Sequence, residues 1–137
     1  MKLCSACLLG VKCRYDGNGK PHDAVLKLAK KDTLIPVCPE QLGGLATPRP
    51  GSERIKDKVM TETGRDVTEN FKKGAEETLR IAKIFNIKEA ILKERSGACG
   101  VNQVYDGTFS GKVIKGEGVT TALLRKNGIN VISEENL

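Results

Sequence analysis

The sequence predicts an α/β chain: a single Rossmann-like domain over residues 1–137, with a mostly parallel sheet of about four strands and helices on both faces. Three observations lead there. Short apolar runs alternate with stretches of helical periodicity, in the order strand, helix, strand, helix, strand, helix, strand. The stretches rich in Gly and Pro, residues 39–56 and 96–118, follow apolar runs, so in a parallel sheet they open on its carboxyl edge, where such folds bind ligands. A length of 137 residues, 39% of them hydrophobic and 29% charged, suits one domain with its own core. The order of the strands stays open at this level.

Residues 2–6, KLCSA, are short and apolar and open the chain as a strand. Residues 8–20 follow as a loop, with Gly10 and Asp16-Gly17-Asn18-Gly19 as turn residues. From Pro21 to Lys31, Ala24, Val25, Leu28 and Ala29 share one helical face, and Pro21 suits a first turn. The run T-L-I-P-V-C, residues 33–38, reads as a buried strand that Pro36 places at an edge or a strand end. Residues 39–56 read as one long loop, of the kind that often serves function. Asp57 to Asp66 reads as a small hairpin turning at Gly64. Asp66-Val67-Thr68-Glu69 has the form of a capping box. Behind it Val67, Phe71, Ala75, Leu79, Ala82 and Phe85 recur at spacings of three and four, an amphipathic helix ending near Asn86. Lys88 to Lys93 is the next strand, and residues 96–118 are a second Gly-rich loop. Val119 to Lys126 is a helix stopped by Asn127-Gly128, and Ile129 to Ser133 is the last strand.

Lys and Arg number 23 against 17 acids, a formal charge of +6. A basic surface suits an anionic partner such as a nucleotide. With no Trp and five Phe and Tyr in all, a stacking platform for single-stranded nucleic acid is poorly supported, so nucleic acid is not the favoured partner. No apolar run approaches the roughly 18 residues of a membrane span, and the apolar start lacks a signal-peptide cleavage pattern. The expectation is a cytoplasmic chain without a membrane partner. Cysteines in a reducing compartment are more often buried, metal-binding or catalytic than paired, and five is an odd number for a disulfide framework.

The fold reading gives those cysteines a meeting point. Cys7 lies just past the first strand, Cys38 ends the second and Cys99 lies in the loop after the third. In a parallel sheet these loops share one edge, so cysteines 31 and 61 residues apart come together. Cys4 and Cys7 form C-x-x-C, but L-L-G leads on into a loop, not into the helix of a thioredoxin-type site. Cys4, Cys7, Cys13 and Cys38 offer four sulfurs for a closed zinc site, yet the second C-x-x-C of a zinc ribbon is missing. Three thiolates from three loops suit a [4Fe-4S] cluster that keeps one iron open to substrate.

Several motifs occur in order along the chain: S-A-C-L-L-G with R-Y-D-G downstream, C-P-E-x-x-G-G-L-x-x-P-R, S-x-x-C-G, Y-D-G-x-F and G-E-G-V-T-T-A-L-L-R-K-N-G. Together they cover essentially the whole chain and resemble the bacterial and archaeal thiouracil desulfidases of the TudS type. The resemblance implies a [4Fe-4S] cluster on Cys7, Cys38 and Cys99, easily lost in air, and removal of sulfur from thiolated uracils of the 4-thiouracil and 4-thiouridine monophosphate class. It places Glu40 and Ser96 in the chemistry. Where the family pattern has Pro-Ser, this chain has Gly97-Ala98, which loosens that loop. Cys4 stands at a usually apolar position and reads as buried in the first strand. Cys13 sits near the site as an additional candidate ligand.

The implied reaction is a non-redox hydrolysis that releases sulfide. An open iron is a soft Lewis acid for the exocyclic sulfur, and water attacks the ring carbon. Glu40 activates the water or moves a proton, and Ser96 bonds the ring or relays the proton. A compact domain suits a small-molecule thiolated nucleobase or nucleotide. For a substrate phosphate, Arg49 is the first candidate and Arg14 the second, because guanidinium binds phosphate bidentately. Tyr15 and Tyr105, in two Y-D-G segments 90 residues apart, either stack on a pyrimidine or pack a turn. His22, the only histidine, carries no pattern of a Ser–His–Asp or Cys–His enzyme. On residues alone another class stays open, a non-catalytic zinc or iron–sulfur module with a basic surface for RNA or nucleotide. Metal content separates the two. Sulfur delivery to tRNA usually calls for a P-loop, and no G-x-x-x-x-G-K-[ST] occurs.

Overall fold

The computed structural model describes every residue, Met1–Leu137. The chain runs through β1 (Lys2–Ser5), a 3-10 turn (Ala6–Leu9), α1 (Asp23–Ala29), β2 (Leu34–Val37), α2 (Pro39–Leu42), β3 (Ser52–Ile55) and β4 (Lys58–Thr61). It continues through α3 (Thr68–Ile84), β5 (Glu89–Leu92), β6 (Gln103–Tyr105), β7 (Val113–Lys115), α4 (Val119–Lys126), β8 (Asn130–Ser133) and a closing 3-10 turn (Glu134–Asn136). Four strands form the main sheet in the order β2-β1-β5-β8, and every pairing is parallel. The predicted fold class, strand count and carboxyl-edge loops are all present.

Side chains alternate across this sheet because successive Cβ atoms point to opposite faces. Leu3, Ala90, Leu92 and Val131 face α3 and α4, packing with Phe71, Ala82 and Leu124. Cys4 and Ile91 face the other way, toward Val25 of α1. Both faces are covered, so the strands carry apolar residues on both sides. From β1 the chain steps outward to β2, then crosses back over β1 to β5 and on to β8. The reversal places the switch point between β1 and β5, at their carboxyl ends.

Several elements differ from their sequence reading. The 39–56 segment is not one loop: it holds α2 and β3, and the hairpin pairs Ser52–Ile55 with Lys58–Thr61. That hairpin turns at Lys56, which has φ +57°, while Gly64 (φ +87°) serves the turn after β4. Residues 96–118 hold a second hairpin, β6 with β7. The first helix is shorter than Pro21–Lys31, and no side chain caps its start. The capping box does not form: Val67 stands at the N-cap without a side-chain cap bond, and Asp66 instead closes the turn before the long helix, accepting from Thr68 N at 2.9 Å and Thr68 Oγ1 at 2.6 Å.

The shortest helix is held by backbone contact. A Cβ on Gly74, in mid-α3, would lie 1.9 Å from the carbonyl oxygen of Pro39, and one on Gly43 would lie 2.0 Å from that of Asn70. Only glycine lets α2 rest directly on α3 here. Asn70 Nδ2 then donates to Gly43 O at 2.9 Å. This seat fixes the segment that begins with Cys38, Pro39 and Glu40.

Candidate active site

The carboxyl ends of β1, β2 and β5 open into a cavity of about 360 Å³, within the range of small-molecule sites. Cys7 enters from the 3-10 turn after β1, Cys38 from the start of α2 and Cys99 from the loop after β5, and Cys13 stands beside them. Cys4 does not join the wall; it is fully buried in β1, as its position predicted.

Each thiol answers to its surroundings. Burial pushes the Cys7 thiol up to about 11, with the Lys93 ammonium working against it. Burial also raises Cys99, opposed by the Ser5 hydroxyl beside it. Cys13 and Cys38 act as a pair: Cys38 Sγ donates to Cys13 O at 3.7 Å, and the contact between the two thiols holds Cys38 below the ordinary thiol range and Cys13 above it. Cys38 is therefore the sulfur of the pair that ionises first.

No three His, Cys, Asp or Glu side chains converge tightly enough for one metal ion. The sulfurs stand instead around the wall of a cavity, so the donor set fits a group broader than a single ion, with thiolate ligands from separate loops.

The Cys99 loop is bound on both sides of its backbone. Ser96 Oγ accepts from Ala98 N at 3.2 Å and Cys99 N at 3.0 Å. The buried Glu94 carboxylate accepts from Val101 N, Asn102 N and Gln103 N at 2.7, 2.8 and 3.0 Å. Burial pushes the Glu94 carboxyl up, but these N–H bonds outweigh it and leave it below its usual value. On the other side, Val119 N, Thr120 N and Gly118 N donate to the carbonyls of Gly97, Ala98 and Gly100. Thr121 Oγ1 donates to Cys99 O at 3.0 Å. The loop that Gly97-Ala98 suggested would be loose is thus tied down residue by residue.

Glu40 and Ser96 both line the cavity. Glu40 Oε1 accepts from Arg49 Nε at 3.0 Å, which leaves Oε2 free of a protein partner. Arg49 departs from its predicted role. Its guanidinium, only 6% exposed, also donates to Ala46 O, Thr47 Oγ1 and Cys13 O at 3.2, 2.9 and 3.0 Å. Those bonds take most of the fork that a phosphate would need. Arg14 is freer: it is 28% exposed, lies 3.5 Å from Asp16 Oδ2 and stands 5.6 Å from the centroid of the Tyr15 ring.

Sequence reasoning missed Ser5, Glu53 and Phe109 in the wall, and named Lys93 only as a basic residue near these loops. Ser5 Oγ accepts from Lys93 N at 2.9 Å, joining β1 to β5. Lys93 Nζ donates to Glu94 O and lies 3.4 Å from Glu134 Oε2. Glu53 comes from the first hairpin, which begins upstream of its predicted place, and Phe109 from the second, which was not foreseen. Ser5 and Lys93 do share a signal, a place at the carboxyl end of a strand on the ligand edge: Ser5 ends β1 and Lys93 directly follows β5. His22 takes no part in the cavity wall.

A doubly wound sheet that gathers four cysteines, a carboxylate and a serine at its switch point defines an enzyme built around a sulfur-ligated cofactor. The chain belongs to the 2-thiouracil desulfurase family, whose model matches residues 3–136. It is 44% identical over 147 positions to the uncharacterized protein YbbK of Bacillus subtilis (strain 168), spanning 100% of this chain and 97% of that one. It is also similar to a solved structure described as the [4Fe-4S]-dependent thiouracil desulfidase TudS. There the TM-score is 0.94 at 46% identity, over 99% of this chain and 91% of that one.

Proposed function

We propose that this enzyme hydrolyses thiolated uracil compounds of the 4-thiouracil and 4-thiouridine monophosphate class, releasing sulfide, in the cytoplasm. One observation carries the reading: Cys7, Cys38 and Cys99, one from each loop after three neighbouring strands, share a cavity wall with Glu40 and Ser96. In this reading the three thiolates hold a [4Fe-4S] cluster. When bound, such a cluster supplies one iron without a protein ligand, a thiophilic Lewis acid toward the exocyclic sulfur.

The chain's own residues do the rest. Glu40 takes a proton from water at Oε2 as the water oxygen approaches the ring carbon. Ser96 Oγ already accepts two N–H bonds, so its own proton is free to donate to the ring. The water oxygen ends on carbon, the ring C=S becomes C=O, and both water hydrogens leave with the sulfur as hydrogen sulfide. No electrons are gained or lost overall. Arg14 meets the phosphate of a nucleotide substrate, while Arg49 holds Glu40 and the Cys13 loop in place. No helix is long and apolar enough to cross a membrane. A small molecule, not a nucleic acid, suits a cavity of this size.

The test is anaerobic turnover after cluster reconstitution, following loss of the thiocarbonyl absorbance and release of sulfide with 4-thiouracil, 2-thiouracil and 4-thiouridine monophosphate. One sulfide per thiocarbonyl consumed, without added reductant, supports the reading. Consumption only with a reductant, or no sulfide from any of the three, refutes it.

A further inference from the structure

Three aromatic side chains line the cavity, Tyr15, Tyr105 and Phe109. Tyr15 is already occupied: Arg14 stands over its ring and Gly51 lies against its edge. Tyr105 is set in β6 by pairing with Val113. Phe109 is placed differently. Its φ is +56°, in the left-handed region that a residue with a Cβ rarely adopts. Such positions persist only where their surroundings impose them, and they gather at functional sites.

The surroundings here are explicit. Glu53 of β3 reaches across and accepts at Oε1 from Gly107 N at 3.0 Å and Phe109 N at 3.1 Å. Gly107 is pressed so closely onto β3 that a Cβ would lie 2.7 Å from Ile55 Cγ1 and 2.8 Å from Arg54 O. Asp106 Oδ1 closes the turn by accepting from Thr108 N at 3.0 Å. Two hairpins distant in sequence are thereby joined, and the product of that junction is one aromatic ring in the cavity wall.

We propose that Phe109, held in the left-handed backbone region by the Glu53 carboxylate, is the wall on which the thiolated pyrimidine ring stacks. Phe109 touches substrate; Glu53 is a positioning residue that acts through it. The inference rests on the desulfidase reading of the cavity. Stacking on an aromatic face is sequence-tolerant and needs no hydrogen bond, so it leaves the thiocarbonyl edge free to face the cysteines.

The test compares wild type with Phe109→Asn, Phe109→Tyr, Glu53→Ala and Glu53→Gln. Asn tolerates the left-handed backbone but lacks the ring, so the turn survives without the stacking face. Each protein is assayed for KM and kcat with 4-thiouridine monophosphate after reconstitution. Binding of the same nucleotide to cluster-free protein is measured separately by equilibrium dialysis. Phe109→Asn is expected to raise KM and the dissociation constant by about five- to a hundredfold, with kcat and the iron content little changed. Phe109→Tyr restores both constants. Glu53→Ala follows Phe109→Asn, and Glu53→Gln, which keeps an acceptor oxygen, follows wild type. Unchanged KM and binding in Phe109→Asn, with an active wild type, overturns the stacking role alone. An inactive wild type that still binds the nucleotide, and loses it in Phe109→Asn, leaves the stacking role standing while the desulfidase reading falls. A wild type that neither binds nor turns over the nucleotide overturns both.

Discussion

Replacing Gly74 with alanine puts a methyl group where α2 already stands. The new Cβ would lie 1.9 Å from Pro39 O and 3.3 Å from Gly43 N, and contacts under 3.0 Å are essentially never seen. Both partners are backbone, so no side chain can swing aside. The α2 segment must retreat by about 1 Å or α3 must bend, and overpacking of this kind costs about 1–3 kcal/mol. Alanine returns about 1 kcal/mol of helix propensity. The net loss of stability is therefore small, about 0–2 kcal/mol, or a few degrees in melting temperature. Function is affected much more, because the displaced segment begins at Cys38 and carries Glu40. A misplacement of about 1 Å at reacting groups costs on the order of 10²-fold in rate. Thermal melts by circular dichroism, iron content and turnover are measured on Gly74→Ala and on Lys73→Ala, its exposed neighbour. Lys73→Ala should match wild type in all three. Gly74→Ala should fold, melt slightly lower and lose about two orders of magnitude in turnover. If it instead gains about 1 kcal/mol, as helix propensity alone predicts, and keeps full turnover, the seating of α2 on α3 does not position the site.

Glu40→Gln keeps an oxygen for Arg49 Nε but loses the base; turnover should fall by about 10²–10⁴-fold with iron content unchanged. Arg49→Lys retains the charge and loses the fork that ties Cys13 O, Ala46 O and Thr47 to Glu40, so the melting temperature should fall even without substrate. Glu94 has a lowered pKa in the fold, so the unfolded chain binds more protons and the stability it contributes is complete above the unfolded value of about 4.3. That stability is lost as pH falls through the folded value; in Glu94→Gln, denaturant midpoints between about pH 5 and pH 3 should fall less steeply than in wild type. Cys13→Ala should keep its iron after reconstitution, because Cys7, Cys38 and Cys99 remain; loss of iron would make Cys13 a ligand.

The alternation of strands and helices was legible because the long helix and the parallel strands carry their apolar periodicity on the surface of the sequence. Cys7, Cys38 and Cys99 followed from it, since a parallel sheet sends the loop after every strand to one edge. The first hairpin was legible only out of place, and the second was not legible. β6 and β7 have three residues each, too few for a period of two to stand out, and their link is held by Glu53, more than fifty positions upstream. Arg49 shows the other limit. Its motif position says that an arginine belongs there, but only the fold shows its donors turned inward onto Glu40 and Cys13 O. Ser5 and Glu94 are ordinary residues in the sequence; their roles exist only through Lys93 N and the N–H groups of residues 101–103.

In the proposed reading three cysteines from three strand ends hold one iron–sulfur cluster. Iron and acid-labile sulfide per chain, measured after anaerobic reconstitution of wild type, Cys4→Ala, Cys7→Ala, Cys38→Ala and Cys99→Ala, test it most directly. About four of each are expected in wild type and in Cys4→Ala, with loss of both in the other three variants. One tightly bound zinc per chain and no labile sulfide in wild type would contradict that reading.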